Sequence, residues 1–234
     1  MSKIAIIPAR GGSKRIVGKN KKLFLGKPII SYSISSVINS EAFDEVMVST
    51  DDEEIAAIAI ENGASVPFMR SIKNANDSAT LTDVLLEVID EYKKIGKQFE
   101  MILCLLPTAP FVETSDITQA IKKINSEQFD AVFPVTEFSF PIQRALKIED
   151  GNVRMVSEKY MNTRSQDLPT RYHDAGQFYL LKTESFLNQK KIYMEKSGAI
   201  ISSSLKVQDI DSETDWKIAE MKYKIIMDEK ENPY

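Results

Sequence analysis

The 234-residue sequence predicts an α/β fold built on a doubly wound, mostly parallel Rossmann-like sheet. Three observations support this fold class. Short apolar runs alternate along the chain with amphipathic stretches that have helical spacing. The first apolar run is followed at once by a glycine-rich turn, as in open sheets that bind ligands at the carboxyl ends of their strands. Hydrophobic residues make up 43% of the chain, which is enough for a core of ordinary globular size.

The first 135 residues supply strands and helices in turn. Lys3–Pro8 is short, apolar and rich in isoleucine, which is typical of a central strand covered on both faces. A helix is expected to begin at Pro28, because proline suits the first helical turn and Ile30 and Ile34 follow at helical spacing. Gly63 is expected to end a later helix. Further strands are predicted at 45–49, 65–68, 101–106 and 131–135, and further helices at 52–62, 82–95 and 115–125.

The pattern changes after residue 135. Asp150 and Gly151 predict a hairpin turn, because Asp-Gly readily takes positive φ. Ser212 and Asp215 resemble a capping box that opens a last helix. The elements expected in this half are hairpin strands at 145–148 and 153–156, an extended polar excursion at 160–172, strands at 176–181 and 200–205, and the final helix at 212–229.

The whole chain, 1–234, is expected to form one domain with an insertion at about 137–175. The insertion has few apolar residues to bury, so it is not obviously self-sufficient as a folding unit. We therefore expect it to pack against a second subunit, which would make the protein a homodimer.

Composition and charge exclude several classes of protein. The net charge is −4, yet residues 1–40 carry eight cations and no acid, which predicts a local anionic ligand. General nucleic-acid binding would need a basic face overall. Cys104 and His173 are the only residues of their types, so an intrachain disulfide, a thiolate zinc cluster and any site with two histidines are excluded. No stretch approaches the roughly 20 apolar residues that cross a membrane, and a cytoplasmic protein is expected.

A glycine turn, Arg10-Gly11-Gly12-Ser13-Lys14, lies directly after the first predicted strand. Two glycines let backbone N–H groups approach a phosphate closely, and the neighbouring cations supply positive charge. The turn is not a P-loop, because Ser13 stands where that motif needs glycine and Asn20 where it needs Ser or Thr. It is not the dinucleotide fingerprint either, since its two glycines are adjacent. The turn therefore favours neither of these two common nucleotide-binding classes.

Two further segments are candidates for chemistry. Pro107 and Thr108 form a rigid turn at the carboxyl end of a predicted strand, although simple strand termination explains them equally well. Asp209 and Asp211 point the same way from extended backbone, with Ile210 behind them. Two neighbouring carboxylates repel unless a cation lies between them, and Mg²⁺ binds one or two carboxylates together with phosphate oxygens. Alternatively, the two acids serve only the last helix, since acidic residues near a helix N-terminus are favourable.

Together these segments resemble the cytidylyltransferases that activate acidic nonulosonic sugars, a family that includes CMP-sialic acid synthetases. The resemblance runs from Lys3 to about Ile226. Its motifs are, in order, residues 7–14, Lys19-Asn20, Ser49-Thr50-Asp51, Leu106-Pro107-Thr108-Ala109-Pro110 and Asp209-Ile210-Asp211. Within the family, residues 141–146 and 172–179 are most similar to members that act on pseudaminic acid.

The resemblance implies the sheet of nucleotide-diphospho-sugar transferases and a specific reaction. CMP would pass from CTP to the anomeric hydroxyl of an acidic nine-carbon sugar, pyrophosphate would leave, and Mg²⁺ would be the cofactor. The product would serve bacterial surface glycosylation, typically of flagellin.

The resemblance also implies a role for each candidate residue. Asp209 and Asp211 would bind Mg²⁺, and the catalytic residues would be Arg10, Lys19 and Asp211. The nucleotide would contact Ala9, Arg10, Gly11, Gly12, Ser13, Lys19, Asn20, Arg70, Ser78, Pro107 and Thr108, with Arg70 facing the cytosine carbonyl. The sugar would contact Arg164, Arg171, His173 and Gln177, the two arginines from the neighbouring subunit. For His173, a structural hydrogen-bonding role is the alternative to sugar binding or base catalysis.

The sequence departs from the sialate-activating members at two positions. Leu106 stands where those members usually carry Gln, and Ala109 where they usually carry Ser. The loss of a polar group near the sugar pocket argues against sialic acid itself and leaves the phosphate-binding residues untouched. Two alternatives stay open: transfer to N-acetylneuraminic, legionaminic or 3-deoxy-manno-octulosonic acid, and a regulatory protein that binds nucleotide without turnover.

Overall fold

A computed structural model describes residues 2–232 of the chain. The strands are β1 (Lys3–Pro8), β2 (Leu23–Phe24), β3 (Lys27–Pro28), β4 (Glu45–Ser49), β5 (Met101–Leu105), β6 (Ala131–Glu137), β7 (Leu146–Glu149), β8 (Asn152–Met155), β9 (Tyr172–Asp174), β10 (Phe178–Lys182) and β11 (Ser197–Ile201). The helices are α1 (Ile29–Ile38), α2 (Glu53–Glu61), α3 (Leu81–Lys94), α4 (Thr114–Ser126), α5 (Thr183–Gln189) and α6 (Glu213–Glu231).

The central sheet has the strand order β11-β6-β10-β5-β1-β4, and β9 pairs with the C-terminal end of β6. Five strands run in the same direction, whereas β9 and β10 run against them. The predicted mostly parallel α/β sheet is therefore confirmed. The carboxyl ends of β1, β4 and β5 lie side by side, and the antiparallel β10 brings its amino end to the same edge.

Alternate residues of β1 face opposite sides of the sheet, as expected for a doubly covered strand. Ala5 and Ile7 pack with helices α1 and α4 in one apolar cluster. Ile4 and Ile6 pack with α3 in a second cluster on the other face. A third cluster packs Phe24 and Phe111 with Trp216 of α6. The sheet therefore has helices packed on both of its faces.

Two predicted strands are wrong in their extent. At 65–68, only Ser65 pairs with the neighbouring strand, in a single bridge to Met47, because Pro67, two residues further along the chain, has no N–H to donate. The strand predicted at 200–205 runs instead over Ser197–Ile201. It ends there because the Ser203 hydroxyl accepts a hydrogen bond from Leu205 N at 3.3 Å and starts a 3₁₀ turn. The short strands β2, β3 and β9 and the helix α5 had no signal in the sequence pattern.

The predicted hairpin and the predicted capping box are confirmed. Asp150 and Gly151 have φ values of 50° and 76° and join β7 to β8. Ser212 caps α6, and the Asp215 carboxylate accepts from Ser212 N at 2.8 Å in return. In the described part of the chain, no helix has the length and apolar character needed to cross a membrane.

Candidate functional site

The glycine turn after β1 is held on both sides by hydrogen bonds. Gly11 N donates to Asp51 Oδ1 at 2.9 Å, which ties the turn to the end of β4. The buried Asn20 donates from Nδ2 to the carbonyl of Arg10 at 2.9 Å, which ties it to the following loop. Ala9, also fully buried, donates to Ser49 O at 2.9 Å. The turn therefore has a fixed shape before any ligand binds.

Position 11 requires glycine because the Asp52 side chain lies close to it. Asp52 caps α2, and its Oδ1 accepts from Glu54 N at 2.9 Å and Ile55 N at 3.0 Å. A Cβ on residue 11 would lie 2.7 Å from Asp52 Oδ2. A Cβ on Gly12 would meet nothing within 4 Å. The first glycine thus serves the fold, whereas the second leaves open space at the surface of the turn.

Cations of the loop meet the carboxylate pair that lies about 190 residues away in sequence. Lys19 Nζ donates to Ile210 O at 2.7 Å and lies 3.5 Å from Asp211 Oδ1. Arg15 Nη1 lies 2.5 Å from Asp211 Oδ2. The structure therefore brings the glycine turn and the carboxylate pair together on one side of the molecule.

Asp209 differs from Asp211 in its contacts. Within residues 2–232 it makes no ion pair within 4.0 Å. Ile210 between them is buried against Phe24 and Trp216, so the two acids share one face. Burial and the charge of Asp211 raise the pKa of Asp209. A divalent cation beside this carboxylate would offset both effects, and the oxygen donors are those that Mg²⁺ prefers.

The cations line a cavity of about 210 Å³ at the edge of the sheet. Its walls are Pro8, Arg10, Ser13, Lys14, Arg15, Ile16, Lys19, Asn20, Leu106, Pro107 and Thr108. A larger cavity of about 410 Å³ lies between α1 and α6, but two of its lysines, Lys206 and Lys230, already pair with Glu113. The smaller cavity is the one where several cations of the glycine turn converge, and we take it as the candidate active site.

The comparisons with known proteins agree with this geometry. The sequence model of the family described as Cytidylyltransferase matches residues 4–230. This chain belongs to the cytidylyltransferase family. A pseudaminic acid cytidylyltransferase of Campylobacter jejuni is 41% identical over 226 residues, which cover 96% of this chain and 97% of the relative. A CMP-N,N'-diacetyllegionaminic acid synthase of Legionella pneumophila is 29% identical, covering 93% and 94%.

A solved structure supports the fold of the cytidylyltransferase. The structure of a CMP:2-keto-3-deoxy-manno-octonic acid synthetase complexed with CTP matches with a TM-score of 0.69. The alignment covers 97% of this chain and all of that one, at 15% identity. The shared architecture is therefore retained although few residues are.

Five predicted nucleotide contacts do not line the cavity: Ala9, Gly11, Gly12, Arg70 and Ser78. Arg70 is buried, and it donates from Nε to Ser49 Oγ at 3.0 Å and from Nη2 to Ser49 O. Burial lowers the pKa of this guanidinium. The exposed Ser78 donates its hydroxyl to Asn76 Oδ1 at 2.6 Å, within a tight turn. Arg70 thus supports the end of β4, and Ser78 supports the neighbouring loop.

Gln177 links two parts of the cytidylyltransferase site. It is buried, and its Nε2 donates to Lys206 O at 2.6 Å. Its backbone carbonyl accepts a hydrogen bond from Leu106 N at 2.8 Å. It therefore joins the proline turn after β5 to the segment that leads to Asp209. The other three predicted sugar contacts lie elsewhere.

Arg164, Arg171 and His173 lie on the exposed surface of the insertion. Nδ1 of His173 is 2.9 Å from Asp174 O, and its ring centroid lies 4.8 Å from that of Phe138. None of the three lines the cation-rich cavity. One subunit therefore does not bring these predicted sugar contacts to the nucleotide residues.

Three acidic residues around the turn were given no role from the sequence, although Asp51 belongs to a motif that carries the resemblance. Asp51 and Asp52 lie just past the end of β4, which neighbours β1, so their proximity to the glycine turn could have been inferred from the parallel pairing. Asp77 pairs with Arg10 Nη1 at 2.7 Å and with Lys14. No sequence pattern pointed to that contact, because it joins two exposed loops.

Proposed function

We propose that the protein transfers CMP from CTP to the anomeric hydroxyl of pseudaminic acid and releases pyrophosphate. The observation that carries the nucleotide half is the convergence of Arg15 and Lys19 on Asp211 beside the glycine turn. The choice of sugar rests on the relative from Campylobacter jejuni, which shares 41% identity over nearly the full length of both chains.

In this proposal, the triphosphate of CTP lies along the glycine turn. Arg10, Lys14 and Lys19 neutralise its charge, and the Gly12 backbone approaches it through the open space above that residue. Phosphoryl and nucleotidyl transfer depend mainly on positioning and charge neutralisation, so no protein nucleophile is needed. Arg70, although it does not line the cavity, would support the edge on which the cytosine rests.

Asp209 and Asp211 fit a Mg²⁺ site. Asp209 has no cationic partner within 4.0 Å among the described residues, and Asp211 faces the same side of the extended segment. When bound, Mg²⁺ would supply charge neutralisation at the phosphate oxygens. Arg15 and Lys19 keep Asp211 oriented until then.

The bond changes of the reaction are simple. The anomeric oxygen of the sugar forms a bond to the α-phosphorus of CTP and loses its proton. The bond between the α-phosphorus and the bridging oxygen breaks, and pyrophosphate leaves with that oxygen. Lys19 is the best-placed cation for the α-phosphate, because its ammonium is largely buried and fixed by Ile210 O.

We also propose a homodimer in which the insertion completes the sugar site. Arg164 and Arg171 are exposed on it and would face the sugar carboxylate from the second subunit, as the exposed apolar surface of the same insertion suggests. His173 and Gln177 would contribute hydrogen bonds. A cytoplasmic location is part of this proposal, because the substrate CTP is a cytoplasmic nucleotide.

A panel of acidic sugars with CTP and Mg²⁺ tests this function, with pyrophosphate release as the readout. We expect rapid turnover of pseudaminic acid and slow or no turnover of N-acetylneuraminic, legionaminic and 3-deoxy-manno-octulosonic acids. Fast turnover of another sugar with none of pseudaminic acid would move the protein to the first alternative. CTP binding without pyrophosphate release for any sugar would favour the regulatory alternative instead.

A further inference from the structure

Two cations of the candidate active site pair with a carboxylate that the proposed reaction does not use. Asp77 Oδ1 lies 2.7 Å from Arg10 Nη1, and Asp77 Oδ2 pairs with Lys14 Nζ. Arg10 and Lys14 both line the candidate active site. The Asp77 side chain remains half exposed, so it sits at the entrance and is not part of the core. A phosphate group of CTP that approached these two cations would meet Asp77 in its place.

The segment that carries Asp77 is a compact turn. Asn76 Oδ1 accepts from Ser78 N at 2.8 Å and from Ala79 N at 3.1 Å, which fixes the tip. The base of the segment is fastened to α3, because Ser71 N donates to Glu87 Oε1 at 2.7 Å. Among the described residues, the polar contacts from the tip to the glycine turn are the two ion pairs of Asp77. Breaking them leaves the anchor on α3 and the internal turn intact.

We propose that Asp77 is a displaceable occupant of the triphosphate site, which pairs with the cations of that site and is expelled when CTP binds. This inference rests on the proposed function and adds a control of nucleotide entry to it. A carboxylate between two cations provides the same kind of charge-assisted contacts as a phosphate oxygen. The cations stay oriented by Asp77 until the triphosphate replaces it. Hydrogen bonds from Lys14 and Arg10 lower the pKa of Asp77, so it is ionised at neutral pH.

The ion pairs of Asp77 should reduce the affinity for CTP only modestly, because they are solvent-exposed. Exposed ion pairs contribute little each, so removal of both should tighten CTP binding by roughly threefold to tenfold. A residue that merely held Arg10 and Lys14 in place for the phosphates would give the opposite sign, because its loss would weaken binding. The direction of the change therefore separates a displaceable occupant from a positioning residue.

The test measures the Kd of CTP by titration calorimetry for the wild type and for Asp77→Asn, at physiological salt. Asp77→Asn should bind CTP and inorganic pyrophosphate about threefold to tenfold more tightly. The matched control is Asp90→Asn, which removes the same charge from an exposed carboxylate that pairs with Lys94 on α3. At that ionic strength, charges beyond about 8 Å are screened, so the control should leave both Kd values unchanged. Thermal unfolding of each variant checks that the fold is retained, and Asp77→Ser gives a second variant with the same expected sign.

The outcomes are distinct from those of the functional test. Weaker or unchanged CTP and pyrophosphate binding by Asp77→Asn and Asp77→Ser, in a wild type that binds CTP, would overturn the proposal about Asp77. The proposed function would then stand. Absence of CTP binding by the wild type would overturn the proposed function, and with it the role of Asp77.

Discussion

The nucleotide edge, which comprises the glycine turn and the cations that line the candidate active site, contrasts with the insertion at 137–175. At the nucleotide edge, the backbone of the glycine turn is fixed by Asp51 and Asn20, and the loop cations each have a carboxylate or carbonyl partner. In the insertion, every residue of β7 is exposed, and β8 is exposed except at Met155. The first region has its polar contacts satisfied within the chain, whereas the second is largely exposed.

The apolar residues of the hairpin sharpen this difference. Ile148 and Val153 face each other across the two strands and are 74% and 62% exposed. A two-stranded sheet by itself is only marginally stable in water, and monomeric proteins rarely expose contiguous apolar patches of this kind. The residues around the glycine turn therefore have their partners within one chain, whereas the apolar residues of the hairpin are left exposed by the described part of the chain.

The largest effect is expected at the carboxylate pair, Asp209 and Asp211, beside the nucleotide edge. Asp209→Asn should lower kcat on the order of 10³-fold, because several kcal/mol of charge stabilisation are lost with the metal. The fold should be retained, since the substitution removes the repulsion with Asp211 and breaks no ion pair within 4.0 Å among residues 2–232. Steady-state pyrophosphate release and thermal unfolding measure the two quantities.

Glu213→Gln is the control for that variant. Glu213 is close in sequence and pairs with Lys22 at 2.6 Å, yet it lies outside the proposed metal site. Its turnover should stay within about twofold of the wild type, because an exposed ion pair contributes little. A fully active Asp209→Asn enzyme would show that the metal assignment is wrong.

The next effect concerns the exposed β7–β8 hairpin of the insertion. The double substitution Ile148→Lys and Val153→Lys places two charges where a covering subunit would have to desolvate them. We expect the dimer Kd to rise by about 100-fold or more, measured by sedimentation equilibrium. The KM for the sugar should rise with it, and the Kd of CTP should stay unchanged.

Ile60→Lys provides the matched control for the hairpin. Ile60 is 60% exposed, but it lies on α2, far along the chain from the insertion. It should alter neither the dimer Kd nor the sugar KM. If the wild type were a fully active monomer at micromolar concentration, the contrast between the two regions would lose its functional meaning.

A smaller effect tests how tightly the glycine turn is built. Gly11→Ala should lower the free energy of unfolding by about 1–3 kcal/mol, because its Cβ would lie 2.7 Å from Asp52 Oδ2. Gly12→Ala should change it by less than about 0.5 kcal/mol, since that Cβ would meet nothing within 4 Å. Urea unfolding of both variants measures the difference. Equal stability losses would indicate that the turn is not preformed as described.

The sequence predicted the parts of the fold that depend on local pattern. Gly63 ends α2 with a φ of 87°, and the turn at Asp150 and Gly151 takes the positive φ that its residues favour. The direction of β10 was not encoded in this way, because a buried apolar run has the same pattern whichever way it points. The boundary at Ile201 depended on a single serine hydroxyl, which a periodicity does not register.

The site was predictable where residues follow neighbouring strands. Gly11 follows β1 and Pro107 follows β5, so the topology places both at one edge. The family resemblance implied that Lys19 and Asp211 belong to one site, but it did not predict the ion pair between them. The partnership of Asp77 with Arg10 was missed, because exposed polar loops carry neither periodicity nor an apolar face.

The smallest effect is expected at Cys104, which lies in β5 close to the Pro107 turn. The residue is fully buried, and burial raises the pKa of its thiol to about 12. Because the thiolate is the reactive form, a thiol reagent at pH 7–8 should label the native protein only through opening of the core. Cys104→Ala should cost about 1 kcal/mol of stability, as expected for one buried group, and leave kcat unchanged. Rapid labelling of the native protein at neutral pH would instead mean that the nucleotide edge opens readily, and the contrast with the insertion would then be one of degree.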